Sequence, residues 1–343
     1  MTRATAFTAE LIETSARGLS GLTVARAYER SSELDARYGG EGFETWRHSV
    51  TSRLESLAAA LASADPKVFS DDLLWFRSLS TSRGIPPADL LLVLDCMEDV
   101  LAEQLPGNVP EAVSPYFEAA RSAIAEEPSA TGGLEPDSPA DQLFQLALIG
   151  DMGAARRHLL DQVQGGQLTL EDAVLEVLLP AAREAGRRWH VGEMGVATEH
   201  VVTATLRSAL HSLAAALPPP PQNGHAVFVA AVPGDAHDTG LIAFALLLEQ
   251  DGWRVALSGA DTPIDEIDAT AEGYQCQVIA LSATLPGQRP ALIRYLQDRK
   301  SSIPVVVGGA AIRSADDAKA IGAHGYAPNL AAGVGAVRAL VDN

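Results

Sequence analysis

Five short apolar runs separated by helical stretches constrain the last third of this 343-residue chain more than any other feature. The runs are 225–232, 253–257, 277–281, 303–307 and 323–326. Such alternation specifies a doubly wound, flavodoxin-like α/β domain with a parallel sheet of about five strands. Open sheets of this kind bind ligands beyond the carboxyl ends of their strands. Asp235-Ala-His237-Asp-Thr-Gly240 occupies that place after the first run and precedes the helical stretch Leu241–Gln250. His237 offers a neutral imidazole for a metal, Asp235 can hold its other ring nitrogen, and Gly240 lets a bulky ligand approach the backbone. Taken alone, the D-x-H-x-x-G string also suits a solvated surface loop. Ser282-Ala-Thr284 closes the third run and Gly308-Gly309 the fourth, so all three motifs lie on one rim of one sheet.

Upstream, three further segments separate by pattern. Residues 1–127 read as all-helical, with apolar residues at helical spacing over Phe43–Ala62, Phe69–Ser80 and Ala88–Gln104. Residues 128–139 form a linker rich in Pro, Gly, Ser and acid. Residues 140–217 give helical stretches at about 140–149, 152–163, 170–189 and 194–217, whose short connections predict an antiparallel four-helix bundle. The linker 218–224 contains Pro218-Pro-Pro-Pro221, a stiff spacer expected to hold the bundle at a set distance from the sheet domain.

A second constellation sits where the third bundle helix turns into the fourth: Trp189-His190, then Val196, Glu199 and His200. Val196, Glu199, His200 and Thr203 fall at i, i+3, i+4 and i+7 and share a helix face. A face mixing Val, Glu, His and Thr fits poorly in a dry core, because buried charge is costly unless paired. It suits a polar ligand with an apolar body; the alternative is a core tryptophan beside a solvated face.

The net charge of −19 argues against nucleic acid, since a phosphate backbone demands Lys/Arg patches. No apolar run approaches the ~20 residues that span a bilayer, and the first ten residues lack the pattern of a signal peptide. A cytoplasmic protein without membrane contact is the expectation. Cys96 and Cys276 fall in different segments, which speaks against a disulfide framework or a zinc site.

The spacing from Gly240 to Ser282 and on to Gly308-Gly309 resembles the cobalamin-binding domain of methionine synthases, mutases and corrinoid shuttle proteins. The resemblance implies that His237 is the lower cobalt ligand and Asp235 its orienting partner. It implies that Ser282, Thr284, Gly308 and Gly309 line the pocket of the displaced nucleotide tail. That family most often carries leucine two residues after the serine, where this chain has Thr284. Trp-His followed by Glu-His, ahead of this domain, resembles the light-sensing half of the MerR-family cobalamin photoreceptors over about residues 140–343. By that likeness Trp189, Val196, Glu199 and His200 cap the 5′-deoxyadenosyl group. His190 becomes the upper cobalt ligand after light has broken the Co–C bond.

The front of the chain departs from those repressors, for their winged helix-turn-helix is replaced by a helical region. Trp46, the Phe69–Leu79 stretch and Arg83-Gly-Ile-Pro86 resemble globin-like sensor domains of stressosome proteins. The domain order resembles the photocobilins, which bind biliverdin as well as adenosylcobalamin. By residue type, Tyr28, Tyr38, Trp46, His48, Trp75 and Arg83 are candidate bilin contacts, each also readable as structural; Cys96 is where a thioether would form were the bilin covalent. The expectation is a homo-oligomeric photoreceptor, dimer or tetramer by light, that signals to a protein partner. A corrinoid methyl shuttle and a stressosome-like scaffold are the competing readings.

Overall fold

The computed structural model describes residues 3–107, 109–125, 133–218 and 220–341, and the chain divides into two units. Residues 126–132, Pro219 and residues 342–343 lie outside the described residues, so the expected linkers are described only in part.

The first unit comprises residues 1–129 with 285–294. It holds α1 (Arg3–Arg30), α2 (Ser32–Ser63), α3 (Pro66–Ser82), α4 (Pro87–Gln104) and α5 (Val109–Ala125). The three helices expected from periodicity are present, each extended at one or both ends. Gly39 kinks α2 with φ 59°, a left-handed conformation that glycine adopts at little cost. Asp65 starts α3 by accepting from the Lys67 amide at 3.0 Å, with Pro66 in the first turn. Phe69 and Phe117 meet edge to face at 5.5 Å in a core that also buries Leu54, Leu57, Met97 and Leu101.

The second unit, residues 130–284 and 295–343, contains the bundle and the sheet. The bundle begins with α6 (Pro139–Leu148) and α7 (Met152–Gln164), capped by Ser138 and Asp151. Its third helix starts at a Thr169/Asp172 capping box as α8 (Leu170–Asp172), widens into a π-helical turn over Ala173–Leu178, and continues as α9 (Leu179–His190). The wide turn has an identifiable cause. Pro180 has no amide hydrogen and would crowd the carbonyl four residues back, so the ladder slips by one and Leu179 donates to Val174. The fourth helix is α10 (Val196–Ala216).

The sheet is built from β1 (Ala226–Ala231), β2 (Arg254–Gly259), β3 (Val278–Ser282), β4 (Val305–Gly308) and β5 (Gly325–Ala327). Between and after them run α11 (Thr239–Gln250), α12 (Ile267–Gly273), α13 (Arg289–Asp298), α14 (Ala315–Ala320) and α15 (Leu330–Ala339). All pairs are parallel, in the order β2-β1-β3-β4-β5. The order reverses between β1 and β3, which opens a crevice at their carboxyl ends where the His237 and Ser282 loops emerge.

One expectation is corrected here. The bundle does not stand off from the sheet domain on a proline spacer. A single hydrophobic cluster joins Leu206, Leu210 and Leu213 of the bundle to Ala243, Leu246 and Leu247 of α11. Phe244 and Leu248 of the same helix pack into the sheet core with Val227 and Val229. Helix α11 is apolar all round because it is covered on both sides. Each of its buried leucines contributes about 1.5–3 kcal/mol.

Candidate functional site

At the β1/β3 crevice Asp235 is fully buried, while the His237 side chain beside it remains 51% exposed. The Asp235 carboxylate accepts three hydrogen bonds. Its Oδ1 takes His237 Nδ1 at 2.8 Å and the His237 amide at 3.0 Å; its Oδ2 takes the Thr284 amide at 2.8 Å. A carboxylate satisfied from three sides is held still, and it fixes the imidazole with the proton on Nδ1 and the Nε2 lone pair outward. The Asp235 carbonyl in turn accepts from the Asp261 amide at 2.9 Å, and the Asp261 carboxylate accepts from the Gly234 amide at 2.7 Å. Asp261 adopts φ 47° to make this brace, a conformation that aspartate tolerates better than most residues. The loop after β2 thus supports the imidazole loop, a role with no sequence signal beyond an Asp at a strand end.

Ser282 ends β3 and pairs with Ala231 on one side and Gly308 on the other. Gly309 turns the chain with φ 95°, and a Cβ there would lie 2.2 Å from the Ala283 carbonyl oxygen. Gly240 opens α11 with nothing within 4 Å of where a Cβ would stand. Thr284 enters the site through its backbone amide on Asp235, a contact independent of its side chain. The structure therefore brings Asp235, His237, Ser282, Thr284, Gly308 and Gly309 to one rim, with a half-exposed imidazole and room beside Gly240. That donor set suits a metal complex too large to be enclosed, bound through one protein ligand.

On the bundle, α9 ends at Trp189 and His190, both partly buried. Val196 is 54% exposed. Glu199 accepts from the Thr203 hydroxyl at 2.5 Å and lies 3.8 Å from His200 Nε2, while His200 itself is exposed. These residues form a surface rather than a core. The turn they flank is anchored by Glu184, which is 4% exposed. Its carboxylate accepts Nε and Nη2 of Arg187, both at 2.8 Å, and Nε of Arg188 at 2.7 Å. The hydrogen bond from Arg187 is the chief reason that the Glu184 carboxyl is held below the usual glutamate range. Glu184→Ala is expected to destabilise the bundle by about 1.5–3 kcal/mol, measured by urea unfolding at neutral pH. The Glu184 contribution is present above the ordinary glutamate pKa and fades as pH falls through the lowered value, so the variant should lose less stability to acid than the parent.

One further residue joins the site without a sequence signal. Arg207 of α10 forms an ion pair with Asp238 and donates to the Thr239 hydroxyl at 3.2 Å. Both partners stand within two residues of His237.

The candidate bilin residues all lie in the helical unit. Tyr38 meets Trp46 edge to face at 5.9 Å, and the Tyr28 hydroxyl approaches the same helix by donating to the Gly39 carbonyl at 3.3 Å. Trp46 is buried, and the Tyr38 hydroxyl bonds Asp89 at 2.7 Å. Burial pushes the Tyr38 phenol up to about 12. His48 and Arg83 are exposed and bond to main-chain carbonyls of their own helices, Glu44 and Leu79 respectively. Trp75 is partly buried on α3, and Cys96 is fully buried on α4.

Residues 226–334 match the model of a B12 binding domain, and residues 139–214 match a second B12 binding domain model. A cobalamin-type cofactor is indicated. Two curated relatives from Myxococcus xanthus are each 34% identical: the HTH-type transcriptional repressor CarA over 139 residues and CarH over 160. They cover 40% and 46% of this chain, which spans 46% and 52% of theirs, about half the length of each. Among solved structures, the monomethylamine corrinoid protein of Methanosarcina barkeri matches 60% of this chain and 98% of its own. Its TM-score is 0.51 at 16% identity, a likeness of fold. No described helix is long and apolar enough to cross a membrane.

Proposed function

We propose that this protein is a light sensor that binds adenosylcobalamin, with His237 holding the cobalt from below in place of the cofactor's own base. The observation that carries this reading is the half-exposed imidazole fixed by a fully buried carboxylate at the β1/β3 crevice. When bound, the cofactor supplies a cobalt–carbon bond that visible light can break. Asp235 sets the tautomer and the orientation of His237. Ser282, Thr284, Gly308 and Gly309 line the channel for the nucleotide tail, and Gly240 leaves space for the ring edge.

On the bundle, Trp189 and Val196 supply an apolar cover for the adenosyl group, and Glu199 and His200 supply polar contacts for its ribose. His190, at the end of α9, would supply a second imidazole to the metal from the bundle side. Vacating a large buried volume beneath the bundle is unfavourable, which favours a bundle shift and a changed homo-oligomer. The net charge of −19 favours a protein rather than DNA as the cytoplasmic output partner. In the helical unit, biliverdin is the proposed second chromophore, with Tyr28, Tyr38 and Trp46 as its candidate contacts.

The test is reconstitution with adenosylcobalamin in the dark, followed by green and red illumination with absorbance and elution volume recorded. The expected result is a one-way spectral change with a shift in elution, and loss of that shift in Trp189→Ala. An unchanged spectrum refutes the sensor reading. Stable retention of methylcobalamin with transfer to an added thiol acceptor would point to a corrinoid shuttle instead. Titration with biliverdin alone, followed in the red, decides the second chromophore.

A further inference from the structure

Asp238 is the N-cap residue of α11, yet its side chain makes no capping hydrogen bond. An aspartate at that position ordinarily accepts from an amide of the first turn, which stabilises the helix. Here the carboxylate instead pairs with Arg207 of α10, and the same guanidinium donates through Nε to the Thr239 hydroxyl at 3.2 Å. The Arg207 and Asp238 side chains are 35% and 21% exposed, so the pair is partly withdrawn from solvent. Asp238 directly follows His237, whose ring is locked to Asp235. Arg207 is also placed along α10 on the stripe that carries Glu199 and Thr203, at i, i+4 and i+8. Eight residues of helix span about 12 Å, so one rigid face of α10 joins the adenosyl-facing end to the imidazole loop.

We infer that Arg207 is a latch that ties the bundle to the cobalt-ligand loop. It is a positioning residue: what Glu199 meets in the first turn of α10 is felt, through Arg207 two turns on, at Asp238 and His237. Opening of the Arg207–Asp238 pair accompanies the bundle displacement. The purpose of the latch rests on the cobalamin reading above; its existence does not.

Hydrogen exchange of the full chain without cofactor tests the latch directly. In Arg207→Gln, the segments 235–242 and 196–210 should both exchange at least about ten-fold faster, as expected for loss of a charged hydrogen-bonded pair. Strands β1 and β3 should be unchanged and report that the fold is intact. The charge swap Arg207→Glu with Asp238→Arg should restore protection in both segments. If Arg207→Gln also loosens the strands, Asp238→Asn removes the pair from the loop side alone. Unchanged exchange at 235–242 in the intact variant, or no recovery in the swap, overturns the latch.

A second arm adds adenosylcobalamin in the dark. In the parent, protection should rise in both segments together; in Arg207→Gln it should rise at 235–242 without following at 196–210. A joint rise in the variant overturns the coupling. Failure of cobalamin to bind the parent at all refutes the proposed function and leaves the cofactor-free arm to decide the latch.

Discussion

His237→Ala should lower cobalamin affinity by at least about 100-fold while leaving the fold intact. Removing an outer partner of a metal-bound histidine typically costs 10–100-fold, and loss of the ligand itself costs more. The imidazole is half exposed and bonded to Asp235, so few packing contacts go with it. Asp235 keeps the Thr284 and residue-237 amides as donors, which spares it the penalty of an unsatisfied buried carboxylate. Equilibrium titration with hydroxocobalamin, read by absorbance, gives the affinity, and a thermal melt of the free protein gives the fold. Asp235→Asn should fall between parent and alanine variant in affinity but melt lower than either, since an amide cannot accept all three bonds as well. Unaltered affinity in His237→Ala would remove the imidazole from the site and with it the sensor reading.

The largest loss of stability is expected from Gly309→Ala. An added Cβ would sit 2.2 Å from the Ala283 carbonyl oxygen and 3.0 Å from the Ala283 nitrogen. Ala283 cannot retreat, because its amide bonds the Gly308 carbonyl at 3.0 Å and its carbonyl accepts from Ala311 at 3.1 Å. The backbone at φ 95° also lies where side chains are strained. Clash and strain together place the cost at about 4 kcal/mol or more, enough to unfold many domains at physiological temperature. Gly308→Ala is the control: its Cβ would meet the Ala327 carbonyl at 3.2 Å, a contact that a small shift relieves. That neighbour should cost roughly 1 kcal/mol, near the centre of the mutational distribution. Denaturant melts of the two variants side by side measure the difference, and equal midpoints would refute the close approach at residue 309.

The two glycines show why part of the site was legible in sequence and part was not. A Gly-Gly pair at the end of an apolar run marks a crossing of backbones near a strand terminus, and both residues fall there. The Asp235/His237 pair was legible for a similar reason: two residues apart in a loop, they are close whatever the tertiary fold. That Val196, Glu199, His200 and Thr203 share a face followed from helical spacing, which depends on local geometry alone.

Contacts between distant segments carried no such mark. Asp261 braces the His237 loop from the loop after β2, and Arg207 reaches Asp238 across 31 residues of sequence. Neither could be paired before the topology was known. The proline-rich stretch misled in the opposite sense, because its composition says that it is stiff but not where its ends are held. Helix α11 held the missing clue, since a helix apolar on every side needs a second covering surface. In the helical unit, the kink at Gly39 lies between Tyr38 and Trp46, and glycine composition alone does not locate a kink.

The double coverage of α11 also limits how this protein can be taken apart. Cut near residue 220, the chain would yield a bundle and a sheet fragment that each expose half of one continuous oily seam. Neither piece is then an interchangeable cassette. Moving either half into another host would require carrying the bundle and the sheet together.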